Sequence, residues 1–279
     1  MKQLAILGSP IGTALSPVLH RAAYTAMGSP WDSWSYRAID CLPGQLGHFF
    51  DALDGTWAGL SLTMPLKRVA VPLLDEVSPL VRETGTANTV VLRDGRLIGE
   101  NTDVHGMVQA LREADVTGAR SMTVLGAGAT AATALAAARA LDCGRVTAVV
   151  RAAERCGQLA QAARRLNIPL DVRPWSQAAE QLTADVVVSA VPPHAADTLA
   201  AAWTGSPGVL LDVVYRPWPT ALATAAERAG RRVVGGLPML VHQAAQQLRL
   251  QTGRPAPLEA MRQAALAVRG HAVEPPKPT

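Results

Sequence analysis

Lysine is rare in this chain, and its placement is the first sign of chemistry. It occurs only at Lys2, Lys67 and Lys277, and arginine is used at the many other strongly basic positions. A lysine amine can be tuned to give and take a proton, whereas a guanidinium stays protonated. Because the other two lysines lie near the ends of the chain, the sequence predicts a proton-transfer role for Lys67. A chance lysine on a surface turn is the alternative.

A second sign of chemistry is the G-x-G-x-x-A spacing of Gly126, Gly128 and Ala131, which follows the short β-type run 122–125. The first glycine permits a tight turn, the second lets backbone amides approach a pyrophosphate, and the small third residue lets helix and strand pack closely. The alanine-rich segment 130–141 is predicted to be a helix whose positive N-terminus faces the phosphates. The pattern predicts dinucleotide binding, and an ordinary tight turn between strand and helix is the alternative.

The next predicted strand, residues 145–150, indicates which dinucleotide is bound. An NAD site usually places an acidic residue at the end of this strand to hold the ribose 2′-hydroxyl. Here the strand runs into Arg151, and Arg155 follows. Guanidinium groups suit a 2′-phosphate by charge and by geometry, so we predict NADP. Two solvated arginines at a helix start are the alternative.

Composition excludes several classes of partner. Of the 279 residues, 49% are hydrophobic, and the net charge is only +4 with scattered basic residues, so a large core is expected and nucleic acid is not. The three cysteines, Cys41, Cys143 and Cys156, follow no metal or disulfide spacing, which predicts a reducing cytoplasm and no metal site. No apolar run is long enough to span a membrane, and the run 4–7 is read as a first strand.

The elements that must position these residues divide into two groups. The first hundred residues alternate strands and helices without a dinucleotide fingerprint, with a helix predicted to begin at Ser16 as its N-cap and a hairpin predicted to turn at Asp94-Gly95. Six later strand patterns with intervening helices predict a doubly wound parallel sheet. These strands are expected at residues 122–125, 145–150, 168–172, 185–188, 209–215 and 232–234.

This division predicts an α/β protein of two domains. An N-terminal α/β substrate domain covers residues 1–103, and a Rossmann dinucleotide-binding domain covers 104–237. Gly235-Gly236 is read as a hinge-like break, after which helices at 239–251 and 258–268 pack back on the first domain, so that 238–269 complete it. The proline-rich residues 270–279 are predicted to be a disordered tail.

Seven blocks of sequence together resemble the shikimate dehydrogenases, over residues 5 to 268. The blocks are Gly8-x-Pro-Ile-Gly-x-x-x-Ser16-Pro-x-x-His20, Ser61-x-Thr63-x-Pro65-x-Lys67, Gly85-x-Ala-Asn88-Thr89, Gly99-x-Asn101-Thr102-Asp103-x-x-Gly106, the Gly126 fingerprint, Tyr215-x-Pro217-x-x-Thr220-x-Leu222 and Gly235-Gly236-x-x-Met239-Leu240-x-x-Gln243-Ala244. The resemblance implies reversible NADPH-dependent reduction of 3-dehydroshikimate to shikimate, a step of aromatic amino acid biosynthesis. A cyclic polyhydroxy carboxylate would be the substrate, and the chain would be a monomer or a homodimer.

Carried over by position, the resemblance also implies the roles of individual residues. Lys67 and Asp103 would be the catalytic pair. The substrate would be bound by Ser16, Thr63, Asn88, Tyr215 and Gln243. The cofactor would be bound by Gly126, Ala127, Gly128, Ala129, Arg151, Arg155, Val191, Val213, Gly236 and Met239. For Asn88 a turn asparagine is the alternative, and for Asn101 and Thr102 it is helix capping.

The chain also departs from the family pattern. Ala14 stands where a second serine usually helps to hold the substrate carboxylate, and Ser61 stands where asparagine is usual. Ala129-Thr130 replaces the common Gly-Ala, and Val150 precedes Arg151 in place of asparagine. A paralogue acting on quinate or an amino-substituted analogue is therefore an open alternative. Another is a catalytically silent NADP-binding regulator, against which the retention of Lys67 and Asp103 argues.

Overall fold

The computed structural model describes residues 2–203 and 207–270, which form two six-stranded sheets. The first sheet has the order β2-β1-β3-β5-β6-β4. Strands β1, β2 and β3 are parallel, β5 is antiparallel to both β3 and β6, and β4 is parallel to β6. The strands are β1 (Gln3–Gly8), β2 (Ser35–Asp40), β3 (Trp57–Leu62), β4 (Glu76–Val77), β5 (Thr89–Arg93) and β6 (Arg96–Glu100).

Five helices belong to this half of the chain. They are α1 (Ser16–Met27), α2 (Leu46–Asp51), α3 (Leu66–Val69), α4 (Pro79–Thr84) and α5 (Thr102–Glu113). The hairpin of β5 and β6 turns at Asp94 and Gly95, whose φ angles of 52° and 73° are those of the predicted Asp-Gly turn.

The second sheet is entirely parallel, with the order β12-β11-β10-β7-β8-β9. Its strands are β7 (Ser121–Leu125), β8 (Arg145–Val150), β9 (Leu170–Pro174), β10 (Val186–Ser189), β11 (Val209–Asp212) and β12 (Arg232–Val234). The accompanying helices are α6 (Ala129–Ala140), α7 (Gly157–Arg165), α8 (Ala178–Gln181) and α9 (Ala221–Arg228). This strand order is the doubly wound dinucleotide-binding arrangement, so the predicted fold class is confirmed.

Two C-terminal helices connect the second sheet to the first half of the chain. Helix α10 (Gly236–Thr252) packs along α5, and α11 (Leu258–Gly270) packs on α1, as predicted. The crossing of α10 and α5 is close at Gly106, where a Cβ would lie 2.5 Å from the carbonyl oxygen of Met239. Only glycine permits this approach. No helix among the described residues is long and apolar enough to span a bilayer.

Several local predictions were wrong. Ser16 is the first residue of α1 and makes no cap: the N-cap position is Leu15, no side chain caps the helix, and Ser16 is only 3% exposed. Helix α10 begins at Gly236, three residues before the predicted helix start at Met239, and Gly235, its extended N-cap, separates it from β12. The two-residue strand β4 had no counterpart in the sequence patterns. The predicted disordered tail, apart from residue 270, lies outside the described residues.

His20, on the buried face of α1, is an unusual component of the core. It is fully buried and stacks on the ring of Tyr36 with a centroid distance of 4.1 Å. Burial lowers the pKa of His20 from 6.5 to about 4, and a hydrogen bond to Gln247 opposes this effect. The imidazole is therefore neutral in the folded protein at neutral pH.

This burial predicts a pH dependence of stability. Above pH 6.5 His20 is neutral in both states, whereas between pH 6.5 and 4 the unfolded chain binds the proton more readily. As the pH is lowered through this window, the free energy of unfolding should decrease. His20 should account for a decrease of about 3 kcal/mol at the acid end. His20→Phe, which keeps an aromatic ring against Tyr36, should lack this loss. Urea unfolding of wild type and of His20→Phe between about pH 7 and pH 4.5 measures this difference. If the free energies of unfolding of the two proteins changed equally with pH, the prediction would be contradicted.

Candidate active site

The predicted proton donor and its partner meet at one edge of the first sheet. Lys67 lies on α3 just after β3, and Asp103 lies in the first turn of α5 just after β6. Because β5 is antiparallel to both β3 and β6, the carboxyl ends of β3 and β6 face the same way. Lys67 Nζ lies 2.5 Å from Asp103 Oδ2, and the side chains are 17% and 9% exposed. The pair is thus close, partly desolvated and reachable from one side.

Asn88 holds the aspartate from behind. Its Nδ2 donates to Asp103 Oδ1 at 2.9 Å, while its Oδ1 accepts from the backbone N–H of Thr102 at 2.8 Å. Asn88 is 2% exposed and is not among the residues that line the cavity beside Lys67. In this structure it contacts Asp103, Thr102 and Gln243, so its carried-over role as a substrate ligand stays a prediction.

Asn101, directly before α5, helps to fix the start of the helix that carries Asp103. It occupies the N-cap position of α5, but its side chain makes no cap hydrogen bond. Its Nδ2 instead donates to Thr84 Oγ1 and Thr86 Oγ1, at 3.1 and 2.9 Å. The capping alternative for Asn101 is therefore wrong, because the amide ties α5 to the end of α4.

A cavity of about 260 Å³ opens beside the Lys67–Asp103 pair. Nine of the predicted site residues line it, from both halves of the chain: Ser16, Thr63, Lys67, Asp103, Val213, Tyr215, Gly236, Met239 and Gln243. Thr13, Ala14 and Thr130 also line it; the sequence had offered Thr13 as a substitute for the serine missing at Ala14 but had not placed Thr130 there. Among the described lining residues, Lys67 and Asp103 are the only charged ones, so hydroxyl and amide groups provide the other polar contacts.

Tyr215 reaches the cavity from a loop that a buried carboxylate fixes. Asp212, at the end of β11, accepts from Thr220 Oγ1 at 2.7 Å and from the backbone N–H of Val214 at 3.2 Å. Burial raises the pKa of Asp212 and also that of Tyr215. Tyr215 is therefore a neutral phenol at neutral pH, able to donate one hydrogen bond and to accept others.

The glycine turn after β7 has the shape that a pyrophosphate requires. Gly126 has φ of 113°, and a Cβ there would lie 3.0 Å from the carbonyl oxygen of Ala190 and 3.2 Å from Val191 Cγ1. Gly128 is the N-cap of α6; a Cβ there would meet nothing within 4 Å, and no side chain caps the helix. The first turn of α6, which begins at Ala129, carries no acidic residue. The open approach and the unpaired backbone amides fit a dinucleotide phosphate.

The other predicted cofactor residues surround the same edge of the second sheet. Val191 follows β10, and Val213 follows β11. A Cβ on Gly236 would collide with the carbonyl oxygen of Val213, so this glycine lets α10 begin directly against the strand end. Met239 lies one turn further along α10, at the cavity wall. Ligands of doubly wound sheets bind at these carboxyl strand ends.

Arg151 is exposed at the end of β8, where the adenine ribose would lie. Arg155 follows in a short 3-10 helix, and its side chain lies outside the described part of the structure. The strand end itself, Val150-Arg151, carries no carboxylate.

A glycine turn with the shape that a pyrophosphate requires and a partly buried Lys67–Asp103 pair beside a cavity together suit hydride transfer with a nearby proton donor. Comparison with known proteins identifies the family. Residues 6–90 match the shikimate dehydrogenase substrate binding domain, and residues 236–266 match the shikimate 5′-dehydrogenase C-terminal domain. The chain therefore belongs to the shikimate dehydrogenase family of NAD(P)-dependent oxidoreductases, as its full-length relatives also show.

These relatives are similar over nearly their whole length. Shikimate dehydrogenase (NADP(+)) of Symbiobacterium thermophilum is 36% identical, covering 95% of this chain and 93% of that protein. The crystal structure of Mycobacterium tuberculosis shikimate dehydrogenase superposes with a TM-score of 0.88 at 36% identity, covering 96% of this chain and all of that one. The Thermus thermophilus shikimate 5-dehydrogenase in complex with NADP(H) and shikimate is 33% identical, with a TM-score of 0.80, covering 96% and 99% of the two chains.

Proposed function

We propose that the protein catalyses the reversible, NADPH-dependent reduction of 3-dehydroshikimate to shikimate. One observation carries this proposal: Lys67 Nζ is held 2.5 Å from Asp103 at the wall of a cavity that the nucleotide-binding half of the chain closes from the other side. The Thermus relative binds NADP(H) and shikimate, which supports the same ligands here.

The chemistry needs a proton at the substrate oxygen. A bound NADPH supplies a hydride to the carbonyl carbon, and negative charge develops on the oxygen as the C=O double bond becomes single. Lys67 donates a proton from Nζ to that oxygen, and in the reverse direction it accepts one. Asp103 orients the amine and balances its charge, and Asn88 fixes the aspartate.

Hydroxyl and amide groups would hold the substrate ring. We assign Ser16, Thr63, Tyr215 and Gln243 to its hydroxyls and carboxylate because all four line the cavity. We also propose the division expected from the sequence, in which 1–103 with 238–269 form the substrate domain and 104–237 form the cofactor domain. Ala14 lines the cavity and offers no polar group where the family pattern has a serine. Quinate and amino-substituted analogues are therefore the alternative substrates.

A substrate panel tests the proposal. Purified protein is given shikimate, quinate or an aminoshikimate with NADP or with NAD, and NADPH or NADH absorbance follows turnover. We expect the highest kcat/KM with shikimate and NADP. Faster turnover of quinate or an aminoshikimate would identify that compound as the substrate in place of shikimate. Absence of turnover with every combination of substrate and cofactor would favour a catalytically silent regulator.

Replacing the pair should reduce chemistry more than binding. Lys67→Ala removes the proton donor, and loss of a general acid typically lowers kcat by about 10²–10⁴-fold. Asp103→Asn keeps the shape but removes the charge, and should have a similar effect. Steady-state kinetics with shikimate measure both variants. A loss of less than about tenfold for Lys67→Ala would reduce Lys67 to a binding residue.

Arg151 and Arg155 should set the preference for NADP. Replacing both with alanine removes charge-assisted contacts worth roughly 1.5–3 kcal/mol each, so the KM for NADP should rise and the NADP/NAD preference should shrink by at least about tenfold. Arg145→Ala, at the opposite end of the same strand, is the matched control and should leave the preference unchanged. A wild type that prefers NAD would contradict the assignment.

Ala14→Ser should strengthen shikimate binding. Ala14 lines the cavity beside Ser16, so a serine there adds a donor for the carboxylate and should lower the KM for shikimate severalfold with little change in kcat. If Ala14 instead makes room for a different substrate, the change should harm turnover of that substrate while helping shikimate. Both constants are measured for shikimate and quinate. No change in any of them would contradict this placement of the substrate.

A further inference from the structure

Gln247 lies at the centre of a buried set of polar side chains that ends at the Lys67–Asp103 pair. It is on α10, one turn beyond Gln243, and is 1% exposed. Its side chain contacts His20 on α1, Ser61 on β3, Thr89 on β5 and Asn88 just before β5. Ser61, which stands where the family pattern has asparagine, thus forms a hydrogen bond with Gln247 of α10.

The direction of these hydrogen bonds follows from the groups that can only accept. Gln247 Nε2 lies 3.2 Å from the carbonyl oxygen of Asn88, which cannot donate, so this end of the amide must be the NH₂. The same NH₂ donates to Thr89 Oγ1 at 3.0 Å. The Thr89 hydroxyl in turn donates to Asn88 Oδ1 at 2.8 Å.

This direction is transmitted to the reaction site. Asn88 Oδ1 is the acceptor for Thr89, and so the Nδ2 of Asn88 faces Asp103 Oδ1 at 2.9 Å. The other carboxylate oxygen of Asp103 holds Lys67 Nζ. Gln247 therefore holds Asn88 in two ways. It donates to the main-chain carbonyl of Asn88, and it orients the Asn88 side chain through Thr89.

The opposite end of the Gln247 amide is fixed as firmly. Its Oε1 accepts from Ser61 Oγ at 2.8 Å and lies 3.4 Å from His20 Nε2. Ser61 in turn accepts from the Tyr36 hydroxyl at 2.6 Å. With both ends of the amide occupied, Gln247 cannot rotate without leaving buried polar groups unpaired, which is costly.

We propose that Gln247 is a positioning residue of the reaction, acting through Thr89 and Asn88 to hold Asp103 and Lys67 in their productive geometry. The inference rests on the proposed function in assigning the proton transfer to Lys67. It predicts that losing the Gln247 amide disturbs the pair even though Gln247 touches neither of its members.

Gln247→Leu and Gln246→Leu form a matched pair of variants. Gln246 is the neighbouring residue on α10 and makes none of these contacts. Gln247→Leu should lower kcat for shikimate by about 10–100-fold, since small misplacements of catalytic groups have effects of this size, while the KM for NADP stays within about twofold. Gln246→Leu should keep wild-type constants. Unchanged kcat in folded Gln247→Leu would overturn the proposal.

Gln247→Glu adds a pH signature. A buried carboxyl group has a raised pKa, and in its protonated form it can still donate to Thr89 while accepting from Ser61. The titratable groups that face this position are His20 on α1 and Tyr36 on β2, and both are neutral near pH 7. The activity of this variant relative to wild type should rise as the pH falls toward about 5.5. A residue that only fills space would give a ratio independent of pH, which would contradict the proposal.

Labelling of Lys67 provides a readout that needs no substrate. Acetylation of the lysines, followed by mass spectrometry of their peptides, compares Lys67 with Lys2 in the same chain. Loosening of the Asp103 contact should make Lys67 react severalfold faster in Gln247→Leu, with Asp103→Asn setting the upper limit and Lys2 unchanged. Unchanged Lys67 labelling would overturn the positioning role, whereas wild-type protein that fails to oxidise shikimate would overturn only the proposed function.

Discussion

The contact between Lys67 and Asp103 is the constraint on which the rest of the structure depends. Removing two charges from water is costly, and their mutual attraction compensates only when the geometry is close and the remaining hydrogen-bond sites are filled. Here the contact is 2.5 Å, and Asn88 occupies the second carboxylate oxygen. The pair also keeps one side toward the cavity, so the amine can reach a substrate. The convergence of β3 and β6 at one sheet edge serves this arrangement.

Helix α10 connects this pair to the nucleotide-binding edge. Its first residue, Gly236, abuts the end of β11, Met239 and Gln243 line the cavity, and Gln247 lies under Asn88. Helix α10 is continuous from Gly236 to Thr252, and α5 packs closely against it at Gly106, so both halves of the site are built on one element. One helix thus extends from the edge of the second sheet, where we propose that the cofactor binds, to the Lys67–Asp103 pair beside the first.

Much of this arrangement could be predicted from local sequence. The strand β8 was predicted to the residue, and the six parallel strands followed from apolar runs between helices. Contacts between distant segments could not be predicted. Ser16 looked like a cap because Pro17 follows it, yet packing of α1 buries its side chain. Apart from its neighbour Thr89, the side-chain partners of Asn88 come from α5 and α10, and the local sequence does not reveal these distant contacts.

The departures from the family pattern lie in the cavity wall and in the side chains behind it, whereas Lys67 and Asp103 are both retained. Ala14 lines the cavity, and Ser61 lies behind it in the hydrogen bonds that reach Gln247. Since no described residue of the cavity other than Lys67 carries a positive charge, a substrate carboxylate has only hydroxyl and amide donors to bind. Each donor then contributes a large share of substrate affinity, roughly 1.5–3 kcal/mol for a charged acceptor. A single change on this wall can therefore alter which ring compound binds without touching Lys67, the residue for which we propose the proton transfer.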